Sequence, residues 1–280
     1  MSKTILVLGA TGKIGRRLLP ILKQQHAAEV RAASRSASAG YIPFDWHNPQ
    51  SWTSAVTGTD AVFLIGPEMV EDPSDQIGAL LDLASKHGVT NVVAVSSLGV
   101  TFPNEPANSG RLKVEAGIKA SGLTWTILRP GGFHQNFSEG FFAPGIQAGM
   151  VQTATGSGKA AFIDAGDIAA VAAIALSGTG HEGQIYALTG PQALSFPEAV
   201  EIVGAAMGRK LAYSALPEDA FRAMMIGFGL PAGFADVVVR DQIAIRDGYA
   251  ADTTATVAEI TGKPAVSFAE YAATAFHRAD

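Results

Sequence analysis

From the N-terminus to about residue 130, apolar residues come in short unbroken runs separated by segments of helical period. Thr4 to Leu8 is β-branched and aliphatic, and the residues that follow place Ile14, Leu18, Leu19, Ile21 and Leu22 on one helical face. Glu29 to Ala33, Ala61 to Ile65, Asn91 to Ser97 and Thr124 to Leu128 read as further strands. Ile77 to His87 and Arg111 to Ala120 read as helices, ended by Gly88 and Gly122. Apolar runs without alternation belong to strands buried on both faces, and strands that alternate with helices imply parallel pairing through right-handed crossovers. The pattern predicts an α/β fold, a doubly wound parallel sheet.

After Pro130 the pattern changes. Gly131 to Gly149 is rich in glycine and phenylalanine, and from Leu194 onward the chain reads as mainly helical, punctuated by proline and glycine. Within this part, Asp167 to Leu176 reads as one more sheet-packing helix and Gln184 to Leu188 as one more strand. No internal repeat or low-complexity linker marks a clean cut.

Gly9-Ala-Thr-Gly12-Lys-Ile-Gly15 lies between the first predicted strand and the first predicted helix. In that context Gly9 serves the tight turn, Gly12 lets backbone amides approach a pyrophosphate, and Gly15 brings helix and strand close. The helix N-terminus then faces the anion. This makes the fold Rossmann-type and the ligand a dinucleotide. The expected organisation is a cofactor-binding Rossmann core over 1–130, followed by a mixed region over 131–280. That region holds the returning sheet elements at about 160–190 and a smaller, mainly helical substrate-binding part.

NAD-selective sites carry an acidic residue at the end of the second strand for the ribose 2′-hydroxyl. Here that stretch is Val30-Arg-Ala-Ala-Ser34-Arg35-Ser36, where a guanidinium and two hydroxyls suit a 2′-phosphate. The expected cofactor is therefore NADP(H), ahead of NAD(H). Asp45, after a short third strand, can cap the helix that starts around Pro49.

Composition narrows the chemistry. The chain has no cysteine among its 280 residues, which removes thiol nucleophiles, thiolate metal sites and iron–sulfur clusters. A net charge of −5 without a basic stripe argues against nucleic acid. No apolar run reaches the length of a membrane span, so the protein is read as soluble and cytoplasmic. His26, His47, His87, His181 and His277 show no metal-ligand spacing, and no metal site is expected. Oligomeric state is not legible.

The opening Gly-Ala-Thr-Gly-Lys-Ile-Gly, Ser96-Ser97, Lys113 and Thr126-Ile-Leu-Arg-Pro-Gly-Gly-Phe-His-Gln-Asn136 together resemble the NmrA-like atypical short-chain dehydrogenases. Within that group the chain looks closest to bacterial quinone and triphenylmethane-dye reductases and to the dehydrogenases of ergot alkaloid synthesis. The resemblance implies an NADP(H) site at Gly9, Thr11, Gly12, Lys13, Ile14, Gly15, Arg35, Asp45, Ile65, Gly66 and Lys113, and for Asp45 it implies a place near the adenine. Ser96, at a strand's carboxyl end, is added because ligands of open α/β sheets bind there.

The sequence departs from the wider short-chain dehydrogenases, which pair a catalytic Tyr with a Lys four residues on. Ser109 stands four residues before Lys113, and none of the tyrosines at 41, 186, 213, 249 and 271 has a Lys at that distance. The catalytic candidates are therefore Lys113, Ser109 and His134, with His134 as a proton donor. Phe133, His134, Asn136 and Phe137 are the expected substrate contacts, and Phe141, Phe142, Met150, Met224, Met225 and Phe228 further apolar lining. The expected function is hydride transfer from NADPH to an unsaturated or cationic acceptor such as a quinone, an imine or a dye. The substrate would be a small apolar or aromatic molecule. The alternative is a non-catalytic NADP(H)-sensing regulator of the NmrA type, acting through a protein partner.

Overall fold

The structure, a computed structural model, describes residues 3–24, 28–35 and 40–277. Strand β1 (Lys3–Val7) enters the glycine turn, from which helix α1 (Gly15–Gln24) leads to β2 (Ala28–Ser34) and β3 (Ile42–Pro43). The chain then crosses to the other side of β1 through α2 (Trp52–Val56), β4 (Ala61–Leu64), α3 (Ser74–Lys86), β5 (Asn91–Val95), α4 (Gly110–Ala120) and β6 (Thr124–Pro130). Two short helices, α5 (Asn136–Glu139) and α6 (Ala143–Ala148), and two short strands, β7 (Met150–Thr153) and β8 (Lys159–Ala160), come next. Helix α7 (Ala165–Ser177) and β9 (Gln184–Leu188) then return to the sheet.

The sheet has seven strands in the order β3-β2-β1-β4-β5-β6-β9, all pairs parallel. Its order reverses at β1, which opens a crevice beyond the carboxyl ends of β1, β2 and β4.

Alternation within the strands explains the unbroken apolar runs. Ile5 and Val7 of β1, with Ala61 and Phe63 of β4, face α1 and α7. Leu6 and Leu8, with Val62 and Leu64, face α2 and α3 on the opposite side. A residue on either side is therefore buried. Each fully buried Leu, Ile or Phe contributes about 1.5–3 kcal/mol, against about 0–1 kcal/mol for an exposed ion pair, so the two apolar layers set the topology. Helix α7 suits this place because its sequence is largely alanine, which lets it lie close to α1 and the sheet.

The rest of the chain builds two smaller cores. It comprises β10 (Leu194–Ser195), α8 (Phe196–Ala206), β11 (Ala212–Ala215), α9 (Glu218–Gly227), α10 (Ala232–Arg246), α11 (Thr256–Thr261) and α12 (Phe268–Ala275). β10 pairs antiparallel with β8, and β11 pairs parallel with β7. Phe137, Phe162, Phe196 and Phe268 form one core, and Phe221, Met225 and Leu230 another. Ser195 and Ser267 start α8 and α12 with reciprocal capping boxes.

The predicted strand over Asn91–Ser97 ends at Val95. Ser97 instead caps a short 3₁₀ turn, its Oγ accepting from Gly99 N at 3.0 Å. Among the described residues no helix is long and apolar enough to cross a membrane, and no cluster of His, Cys, Asp and Glu could hold a metal ion.

Candidate functional site

The three glycines of the first turn are required for different reasons. Gly9 takes φ 63°, and a Cβ there would come within 2.7 Å of Ile65 Cγ2. A Cβ on Gly15 would overlap the Gly9 carbonyl oxygen and lie 2.8 Å from Ala10 Cα. A Cβ on Gly12, which lines the cleft, would lie 3.2 Å from the same oxygen and meet nothing else within 4 Å. Gly12 N donates to Gly9 O at 2.9 Å, and Ala10 N donates to Ala33 O at 3.1 Å, which fastens the turn to the end of β2.

Around this turn lies a cleft of about 370 Å³, lined by Gly9, Thr11, Gly12, Lys13, Ile14, Arg35, Asp45, Ile65 and Gly66 together with Phe133. Nine of the expected cofactor residues thus come together from the ends of β1, β2 and β4 and the segment after β3. Ala33, Ser34, Phe44, Trp46, His47, Pro67 and Glu68 complete the lining. None of these seven was expected except Ser34. Phe44 and Trp46 belong to an aromatic cluster with Trp52, which gives one wall of the cleft an apolar, π-rich face. Ser36 lies outside the described residues.

The cationic groups are Lys13 and Arg35. Burial pushes the Lys13 ammonium below its ordinary pKa, while Glu139 and Glu68 pull it back up. Arg35 is largely exposed, with Nη2 3.8 Å from Oε2 of Glu68. Asp45 accepts a hydrogen bond from His47 N at 2.9 Å, and its carbonyl accepts from Trp52 Nε1 at 2.8 Å. It holds the turn that carries Trp46 and His47; the 3₁₀ turn beginning at Pro49 has Asn48 at its cap position.

The remaining candidates sit elsewhere. Gly15 packs beneath the turn. Ser96 Oγ donates to Glu115 Oε1 at 2.7 Å, and Arg129 grips the same carboxylate with two hydrogen bonds at 2.9 and 2.6 Å. Burial pushes Glu115 up, but the bonds from Arg129 and Ser96 outweigh it and hold the carboxyl below its usual range. Ser109 is the N-cap of α4, its Oγ accepting from Leu112 N at 3.3 Å. Lys113 is half exposed and pairs with Asp72 at 2.6 Å, outside the cleft lining.

His134, expected as a proton donor facing substrate, is 1% exposed and packs between Phe268 and Tyr271. Burial lowers its pKa to about 4, so it is neutral at pH 7. Phe137 is likewise fully buried, in the aromatic core of α5, α8 and α12. Asn136 lies half-buried against the backbone of Gly140. Only Phe133 of this group lines the cleft. Met225 is core, Phe142 and Met224 pack partly buried against the two smaller cores, and Phe141, Met150 and Phe228 are exposed.

The lining fits a dinucleotide phosphate. A glycine-rich turn opens at a helix N-terminus, a lysine and an arginine flank it, and aromatic rings stand beside it.

Comparison with known proteins agrees. A family model described as NAD(P)H-binding matches residues 9–178. The NAD(P)H azoreductase of Xenophilus azovorans is 35% identical over 283 residues, covering 96% of this chain and 96% of its own. Festuclavine dehydrogenase of Aspergillus fumigatus is 29% identical over 289 residues, with 96% of each chain covered. The NADPH complex of an Escherichia coli NADPH-dependent quinone oxidoreductase superimposes with a TM-score of 0.81 at 26% identity. It covers 98% of this chain and 100% of the other.

Proposed function

Because the chain belongs to the NAD(P)H-binding family and NADP(H) is its cofactor, we propose that it reduces electron-poor or cationic organic acceptors such as quinones, azo compounds, iminium ions and dyes. The observation that supports this reading is the single cleft in which Gly9, Gly12, Lys13 and Arg35 meet. The turn and Lys13 would hold the pyrophosphate, Arg35 the 2′-phosphate, and Phe44 and Trp46 the adenine side. When bound, the cofactor supplies hydride. In this reading Phe133 lies on the substrate side of the cleft, and the parts after residue 130 that do not return to the sheet form the smaller unit that carries the substrate.

The acceptor class follows from what the side chains can do. Reduction of a ketone develops negative charge on oxygen, and a positioned acid contributes about 10²–10⁴-fold to such a step. The Tyr-x-x-x-Lys pair is missing from the sequence. Ser109 is engaged as a helix cap, Lys113 is ion-paired at the surface, and His134 is buried and neutral. A cationic or electron-poor acceptor disperses its charge as hydride arrives and needs that acid less.

The test is NADPH oxidation followed by absorbance against quinones, azo dyes, triarylmethyl cations, cyclic imines and aliphatic ketones. The first four classes are expected to turn over and the ketones to lag by at least about a hundredfold. Fast ketone reduction would refute the proposed acceptor class. Tight NADPH binding with no turnover of any acceptor would favour a sensing role.

A further inference from the structure

We infer that Glu68 sets how the cleft discriminates between the phosphorylated and unphosphorylated cofactor, by opposing Arg35 at the site of the adenosine ribose; this rests on reading the cleft as an NADP(H) site. The two residues reach the same mouth from strands on opposite sides of β1. Arg35 follows β2 and Glu68 follows β4. Both line the cleft, their charged ends are 3.8 Å apart, and their side chains are 75% and 80% exposed. Each can therefore turn toward a ligand without leaving a buried charge unpaired.

The loop that carries Glu68 is constrained. A Cβ on Gly66 would lie 3.3 Å from Ile77 Cδ1, Pro67 fixes its own φ, and Met69 takes φ 59°. Met69 is the one non-glycine residue with positive φ among the described residues. At its far end the loop is tied by Asp72 to Lys113 at 2.6 Å and to Ser74 Oγ at 2.6 Å. Glu68 is thus presented toward Arg35 by a segment held on both sides.

Any group that accepts from Nη2 of Arg35 at an ordinary hydrogen-bond length lies no farther than about 7 Å from Oε2 of Glu68 where it now stands. A 2′-phosphate carries about −1.5 to −2 charges at neutral pH, so Glu68 repels it and competes for Arg35. A 2′-hydroxyl is neutral and can donate, so Glu68 accepts its hydrogen bond. The carboxylate lacking at the end of β2 is in this way supplied from the neighbouring loop. The mouth then holds a phosphate reader and a hydroxyl reader side by side, and its preference for NADPH is moderated.

Calorimetric titration of the full-length protein with NADPH and with NADH tests this. Glu68→Gln is expected to tighten NADPH about three- to fivefold by removing an exposed like charge. The same change is expected to weaken NADH about tenfold by removing a charged acceptor. The ratio of the two Kd values would then rise by more than tenfold. Arg35→Ala should move it the other way, with NADPH about tenfold weaker and NADH little changed. A Glu68→Gln protein with a Kd ratio within twofold of the parent overturns the inference, and if Arg35→Ala still weakens NADPH the cofactor reading stands. A parent protein that binds neither dinucleotide overturns both.

Discussion

Replacing Gly15 by alanine adds one carbon at the point where α1 meets β1. The new Cβ would overlap the Gly9 carbonyl oxygen and stand 2.8 Å from Ala10 Cα and 2.9 Å from Gly9 C. All three neighbours are backbone, so no rotamer change can relieve the contact. Either α1 retreats from the sheet or the turn opens. A retreat loosens Ile14, Leu18 and Leu22, which are all buried against β1 and α7. Overpacking of this kind costs about 2–3 kcal/mol, or about 4–10 °C in Tm for a chain of this length. An opened turn displaces the segment proposed to hold the pyrophosphate, and NADPH affinity should fall more than about tenfold.

Gly78→Ala is the matched control. It lies within α3 with nothing inside 4 Å of the added carbon, and should stabilise by about 0.5–1 kcal/mol. Thermal melts and NADPH fluorescence titrations of the two variants separate the effects. A Gly15→Ala protein with parental Tm and parental Kd would show that the close approach of helix and turn has no energetic weight.

Two further outcomes are expected. Gly12→Val should abolish NADPH binding while leaving Tm within a few degrees of the parent, because Gly12 lines the cleft and an added Cβ meets only the Gly9 carbonyl oxygen, at 3.2 Å; retained affinity with a native circular dichroism spectrum would contradict the phosphate-turn reading. Asp167 is pushed up to about 6 by burial, opposed by the hydrogen bond from Val266 N. Its folded-state pKa is raised, so its contribution is present below its ordinary value near 4 and is lost as pH rises through 6. Asp167→Asn should therefore match the parent near pH 4 and exceed it by about 1–2 kcal/mol near pH 7.5, allowing for partial exposure. Denaturant melts at the two pH values that show a constant difference would sink this account.

The parts of the molecule that could be read ahead are those in which local pattern and burial coincide. Ile5 to Leu8 and Ala61 to Leu64 are apolar at every position because both faces of the sheet are covered, so the strands announce themselves. The glycine turn is legible because its spacing sits at a strand–helix junction. His134 and Phe137 were misplaced because what surrounds them comes from far along the chain. Phe196 of α8, and Phe268 and Tyr271 of α12, close over Phe-His-Gln-Asn-Phe and turn a loop-like segment into core. The place of Glu68 is hidden from the sequence for a related reason. Its partner is 33 residues away, and only the order of strands around β1 brings the two together. The partnership of Lys113 with Asp72 has the same origin, since α4 packs beside the loop that leads into α3.

The alanine-rich face of α7 has a consequence for the birth of the protein. Helix α1 carries the phosphate turn, yet one side of it is covered by Ala165, Ile168, Ala169 and Ala172, and the sheet edge at β6 is closed by β9. A nascent chain that has emerged only as far as β6 holds the cleft's lining up to Glu68 and the sheet behind it, but lacks the cover that α7 gives to α1. That cover, and the strand that closes the edge of β6, are present only after translation has passed Leu188, the end of β9. During that interval the apolar back of α1 and the unpaired edge of β6 are open to solvent and to chaperones. The lining of the cleft is thus made well before the helix behind its turn is covered.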